Sequence, residues 1–152
     1  MRVHGQNKRY HHKHIGMGGR LDTIQAAVLL AKLPHYPQEL ADRQQVAQRY
    51  TDTLSGSLQT PVIKPNRSSA WAQYTLRVNN RDTLQAKLKD NGIPTAVHYP
   101  LPLHLQECFQ YLGYKQNSLP VSEVASKEVI SLPMNPYLSN KEIEKIVSIF
   151  QY

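Results

Sequence analysis

The sequence predicts an α/β fold of the mixed α+β kind, a short sheet packed by helices. Two observations carry this. Between Trp71 and Tyr99 a strand pattern, a helical pattern and a second strand pattern follow in close succession. Most of the remaining chain reads as helices bounded by proline, glycine and capping residues. With 152 residues, 40% of them hydrophobic and 19% charged, the chain can bury one real core and is not disordered in composition.

From Ile24 to Leu33 only Gln25 and Lys32 are polar, which predicts a helix over Leu21–Leu33 buried on nearly every side, against more protein than one small domain easily supplies. Asp22 is its expected N-cap, with Gln25 placed to reach back. Pro34 and Pro37 are expected to break the chain. Gln38–Leu54 reads as a long helix with its apolar stripe through Leu40, Val46, Ala47, Tyr50 and Leu54, and with Arg43 outside. Ser57–Ser69 reads as a loop. Trp71–Val78 alternates, with Tyr74, Leu76 and Val78 on the inner face. Asp82 opens a helix that Asn91-Gly92 ends, and Ile93–Tyr99 is the second strand. Leu103–Leu112 looks helical, closed by Gly113, and Pro120–Val129 is a helix with proline in its first turn. Ile130–Met134 is a short apolar strand or turn. Ser139 to Glu142 forms a capping box for a terminal helix whose stripe is Ile143, Ile146, Val147 and Phe150.

The net charge of +7 favours anionic partners. Nucleic acid, an acidic membrane, a pyrophosphate-linked sugar and a cofactor phosphate all qualify on charge alone. No recognised nucleic-acid motif appears, so that partner is disfavoured. The apolar run is shorter than the about 20 residues a bilayer span takes, so no membrane partner is expected. Met1–Lys13 is basic and polar with no apolar core, unlike a secretory signal. The single cysteine, Cys108, forms no internal disulfide, which fits a cytoplasmic protein. His4, His11, His12 and His14 match no closed zinc spacing, so no metal is expected.

The chemistry is concentrated in two runs. Gly18 and Gly19 deliver Arg20 to the mouth of a helix, where backbone N–H groups can receive a phosphate. His98 and Tyr99 end the second strand and are fixed by Pro100. Histidine can hydrogen-bond a sugar or carboxylate, whereas for Tyr99 a place in the core with Ile93 and Val97 is favoured over packing on or donating to a ligand. His104 reads as a structural hydrogen bonder. Arg2 and His4 form a cationic pair suited to an anionic ligand, or else a solvated basic tail.

These runs also carry a resemblance. Arg2-Val3-His4-Gly5, the pattern Gly-x-x-x-Arg-Leu-Asp-x-x-Gln-Ala-Ala from Gly16 to Ala27, and His-Tyr-Pro-x-Pro-Leu-His from His98 to His104 resemble the DegT/DnrJ/EryC1/StrS aminotransferases. These use pyridoxal phosphate (PLP) to aminate keto sugars attached to nucleotides. The pattern from His98 to His104 looks most like enzymes for 3-keto UDP-sugars of the glucuronic acid type. The resemblance implies the small C-terminal domain of a fold-type I PLP enzyme, at residues 21–152, preceded by a basic linker at 1–20. Family enzymes are roughly twice this length or more, and their Schiff-base lysine lies in an earlier domain. None of the ten lysines here sits in that context. The chain is therefore expected to be a terminal piece, with no catalytic residue of its own, no PLP bound alone and no turnover alone.

The same resemblance implies roles. Arg2, His4, Arg20, His98 and Tyr99 are the expected substrate contacts. Gly18 and Gly19 are the expected cofactor-phosphate contacts, reaching across a homodimer. Gly18 stands where the family usually has an asparagine, and so offers a backbone N–H without a side-chain amide. A nucleotide sugar and an amino donor are the implied partners of the parent enzyme, in amino-sugar and surface polysaccharide biosynthesis such as that of lipopolysaccharide. Two other functions remain open on the residues alone, a basic nucleic-acid-binding module and a dimerising structural remnant without ligand.

Overall fold

A computed structural model describes residues 3–4, 6–8, 11–12, 14 and 16–150, without the side chains of residues 6–8, 11, 12 and 108. The chain divides into two units, Met1–Gln38 and Glu39–Tyr152.

In the first unit, strands β1 (Gln6–Lys8) and β2 (His11–His12) pair antiparallel with an irregular register. Val3 bridges Gly18, and the His4 N–H donates to Met17 O at 3.0 Å. Helix α1 (Thr23–Lys32) forms as its pattern predicts, after an extended Asp22. Asp22 makes no side-chain cap bond; its carbonyl accepts the Ala26 N–H at 2.9 Å. The expectation of a buried helix is corrected: α1 has no buried residue, and Ile24 is 81% exposed. Apolar periodicity states what a helix can bury, while burial itself needs a covering surface. Of the two prolines, Pro34 marks the break expected, α1 ending at Lys32, whereas Pro37 does not. Pro34 lies at the start of a 3₁₀ turn over Leu33–His35, and Pro37 in the first turn of helix α2 (Tyr36–Leu54). First-turn positions tolerate proline because their N–H groups have no intrahelical acceptor.

The second unit holds the core. Helix α2 buries Val46, Ala47, Tyr50 and Leu54. Strand β3 (Tyr74–Arg77) pairs antiparallel with strand β4 (Val129–Leu132), Tyr74 opposite Leu132 and Arg77 opposite Val129. This is the α+β arrangement. Tyr74 and Leu76 face inward, as the alternation predicts. Helix α3 (Arg81–Asp90) contributes Leu88, and helix α5 (Asn140–Ser148) contributes Ile143, Ile146 and Val147. The Ser139–Glu142 capping box is present in full.

The predicted strand over Ile93–Tyr99 is corrected. Only Ala96 engages the sheet, bridging Ser131 through two backbone bonds of 3.2 and 2.8 Å. Pro94 lacks an N–H, and Pro100 ends any ladder. The partner of β3 is β4 instead, from the apolar run near Ile130 left open as strand or turn.

Trp71 lies outside the strand, buried and left-handed at φ 48°. A bulky residue rarely adopts that region. Three bonds hold it. Its indole Nε1 donates to Gln44 Oε1 at 2.7 Å, its N–H to Ser69 Oγ at 3.1 Å, and its carbonyl accepts from Arg43 Nη1 at 3.0 Å. Arg43 also donates to Met134 O at 3.3 Å, so it is half-buried rather than outside.

Candidate functional site

A cleft of about 790 Å³ opens in the second unit. Its position follows from the prolines. Once Ala96 leaves the sheet, Pro100 and Pro102 keep the chain extended. Leu103–Leu105 and Glu107–Leu112 then form two 3₁₀ turns, separated by an extended Gln106, in place of the single helix expected. Helix α4 (Pro120–Glu128) presents Ser122, Ala125 and Ser126 to the cleft. The segment from His98 to His104 lines it along its whole length, with Phe109 and Tyr114 beside it. The His98–Tyr99 peptide is cis.

The lining is aromatic and aliphatic, and no lysine, arginine, aspartate or glutamate is among its described residues. Hydrogen-bonding capacity comes from imidazoles, hydroxyls and Gln106. Such a surface suits an uncharged or flat ligand portion held by a few directed donors.

His104 lines the inner end of the cleft, 7% exposed, with Nε2 3.0 Å from Glu123 Oε1. A carboxylate only accepts, so Nε2 carries the proton. Glu123, 8% exposed, also accepts the Asn117 N–H at 2.9 Å and the Leu119 N–H at 3.2 Å. The Asn117 bond, then the His104 and Leu119 bonds, hold its carboxyl below the usual range against the opposing effect of burial. The His104 ring meets Tyr114 edge-on, with centroids 6.2 Å apart.

The sequence-predicted residues fall in two groups. His98 and Tyr99 line the cleft together, their rings 5.6 Å apart at 71°. Tyr99 is 73% exposed, which corrects the core alternative. In the first unit, His4 and Gly18 are neighbours. A β-carbon on Gly18 would lie 3.3 Å from His4 Cε1. Gly19 and Arg20 follow in an exposed stretch before α1, and Arg20 makes no ion pair among the described residues. Arg2 lies outside the described residues. Glu123, Phe109 and Tyr114 were not singled out from the sequence. The only prior signal for Glu123 was its first-turn position in a proline-led helix.

A PLP site can be tested against these residues. The side chains of eight of the ten lysines are described; all eight are exposed and none lines the cleft. The described residues therefore do not fit a resident Schiff-base site. Among the described residues no group of three or more histidine, cysteine or acidic side chains could hold a metal, and no helix is long and apolar enough to cross a membrane.

The profile of the DegT/DnrJ/EryC1/StrS aminotransferase family matches residues 1–151. The chain belongs to this family. Within it, the chain is 47% identical, over 94% of its length, to the UDP-2-acetamido-2-deoxy-3-oxo-D-glucuronate aminotransferase of Pseudomonas aeruginosa, and covers 39% of that protein. It is 42% identical over its whole length to a pleiotropic regulatory protein of Geobacillus stearothermophilus, covering 43% of it. Among solved structures, a family aminotransferase from Brucella abortus matches 97% of the chain with TM-score 0.85 and 40% identity, and is itself covered to 40%. The S. venezuelae DesV structure with a ketimine intermediate matches 99% with TM-score 0.88 and 32% identity, covered to 41%. The chain thus spans about two fifths of the length of these family members.

Proposed function

We propose that this chain is the C-terminal part of a PLP-dependent aminotransferase that aminates a 3-keto sugar of the uronate type carried on a nucleotide. The observation that carries the reading is the 47% identity to the Pseudomonas aeruginosa enzyme, spread over 94% of the chain. The cleft behind His98 and Tyr99 supports it, because a pocket there can bind and orient part of such a ligand.

In this reading residues 21–152 are the small domain and residues 1–20 the linker. His98 donates to the sugar or its carboxylate, and the exposed Tyr99 packs on it or donates. Arg2, His4 and Arg20 hold anionic groups, with bidentate geometry available from the two arginines. Gly18 and Gly19 offer backbone N–H groups to the cofactor phosphate of a second subunit in a homodimer. The lysine that carries PLP lies in the part of the enzyme this chain does not cover. When bound there, PLP supplies the carbanion stabilisation of amino transfer. The enzyme works in the cytoplasm, in amino-sugar synthesis for surface polysaccharides such as lipopolysaccharide.

Two experiments test this. The chain alone, mixed with PLP, is expected to give no stoichiometric aldimine band that borohydride fixes on one lysine. Joined to the part of the Pseudomonas aeruginosa enzyme that it does not match, it is expected to restore amination of the 3-keto UDP-sugar. A folded, PLP-loaded chimera that aminates no keto sugar nucleotide would overturn the reading.

A further inference from the structure

We infer that the His104–Glu123 pair positions the cleft wall that carries His98 and Tyr99. The wall's role in ligand binding rests on the proposed function; the positioning rests on geometry alone. After Ala96 the wall has no ladder bond to the sheet. Two prolines, Pro100 and Pro102, remove donors from it. Among the described residues, its one side-chain hydrogen bond to α4 is His104 Nε2 to Glu123 Oε1, 3.0 Å. The same carboxylate takes the N–H groups of Asn117 and Leu119. One side chain on α4 therefore ties down both the wall and the turn on its other flank.

The pair is a buried polar contact and not an apolar one. His104 lines the cleft and packs edge-on against Tyr114, another lining residue. A buried carboxylate is tolerated only with its acceptor sites satisfied. Here both oxygens are engaged, and removing the group leaves three donors without an acceptor. That loss falls on the wall at His104 and on the turn at Asn117 and Leu119, and not on the sheet.

The substitutions Glu123→Ala, Glu123→Gln and His104→Gln in the 152-residue chain test this by NMR. In Glu123→Ala, amide exchange at Asn117 and Leu119 is expected to quicken by about tenfold or more, as for loss of a charge-assisted bond. The resonances of His98 and Tyr99 shift, and the edge-on packing of the His104 ring on Tyr114 is disturbed. Leu76 and Ile130 amides keep their protection. The His104 Nε2 proton is visible in the parent and absent in Glu123→Ala. In Glu123→Gln it persists, because the amide oxygen still accepts, and the wall moves less. In His104→Gln the wall moves while the Asn117 amide stays protected.

Unchanged His98 and Tyr99 in both Glu123→Ala and His104→Gln would overturn the inference. So would loss of protection at Leu76 and Ile130 in every variant, which would make the pair a general folding element. Should Glu123→Ala alone unfold, the other two variants decide by the same signals. Titration with UDP-N-acetylglucosamine is the separate arm. No response at His98 or Tyr99 in the parent counts against the ligand reading of the cleft and leaves the positioning result intact.

Discussion

Tyr50 of α2 and Tyr74 of β3 pack with ring centroids 5.0 Å apart, both fully buried, and each sends its hydroxyl to a different partner. Tyr50 donates to Pro133 O at 2.9 Å, while Tyr74 donates to Thr51 Oγ1 at 2.8 Å, whose own proton goes to Ala47 O. The pair joins helix to sheet through apolar faces and satisfies both polar tips. Burial pushes both phenols above their ordinary value, with the mutual charge effect adding at Tyr50. In the unfolded chain a tyrosine ionises near about 10. Stability from this pair is therefore complete below that pH and declines as pH rises beyond it. Alkaline urea titrations are expected to show that decline, and Tyr50→Phe to reduce its slope. At neutral pH, Tyr50→Phe leaves Pro133 O unpaired and is expected to cost about 1–2 kcal/mol in denaturant melts.

Glu123 gives the opposite sign. Its carboxyl is held low, first by the Asn117 N–H and then by His104 and Leu119. Its contribution is present above the unfolded carboxylate value and is lost as pH falls through the lowered one. Stability measured stepwise from about pH 5 downward is expected to fall less steeply in Glu123→Gln than in the parent. Superimposable acid limbs for the two chains would remove Glu123 from the acid response.

Helix α1 carries an apolar surface that the chain leaves open, and the proposed homodimer gives that surface a partner. Val28 and Leu29 are 53% and 54% exposed, so a glutamate at either can reach water. Val28→Glu and Leu29→Glu are expected to leave the thermal midpoint of the second unit unchanged and to abolish self-association. Sedimentation equilibrium reads this directly. A parent chain that stays monomeric at high concentration would argue against a self-complementary α1.

Arg43 secures two carbonyls, those of Trp71 and Met134. Arg43→Ala is expected to destabilise by about 1.5–3 kcal/mol, the range for hydrogen bonds to a charged group. Trp71 is the sole tryptophan, so its fluorescence reports the local change. A red shift below the global transition is expected, because the left-handed Trp71 loses one of its three restraints.

Arg20 is exposed at the turn before α1. In the chimera with the Pseudomonas aeruginosa enzyme, Arg20→Ala is expected to weaken nucleotide-sugar or cofactor binding by about 1.5–3 kcal/mol without unfolding the domain. Arg20→Lys should recover only part of a bidentate contact. Steady-state kinetics and cofactor titration separate the two ligands, and parent-like constants for Arg20→Ala would return it to the role of a surface charge.

The sequence made legible whatever depends on one segment's own pattern. The alternation of Tyr74 and Leu76 and the Ser139–Glu142 capping box form as read, and so does the stripe of α5 through Ile143, Ile146 and Val147, while Phe150 lies past the helix end and is only partly buried. What it hid depends on other segments. The strand expected at Ile93–Tyr99 yields to β4, because pairing is decided by which edge is reachable. Burial of α1 was inferred from its own composition, yet burial is a property of two surfaces. At the site, the run from His98 to His104 was visible by its residues, and His104 was readable as a structural hydrogen bonder. Its partner Glu123, nineteen positions on, was not, since nothing in a helix's first turn says which distant imidazole it meets.

Gly18 and His4 occupy one space. A side chain at position 18 would place its first carbon 3.3–3.4 Å from the imidazole, and the ring would have to retreat by some tenths of an ångström. The two positions are therefore not free to drift separately. A larger residue at 18 acts on the imidazole at 4 before it acts on anything else, so the tolerance of position 18 is set by how far that one ring can swing.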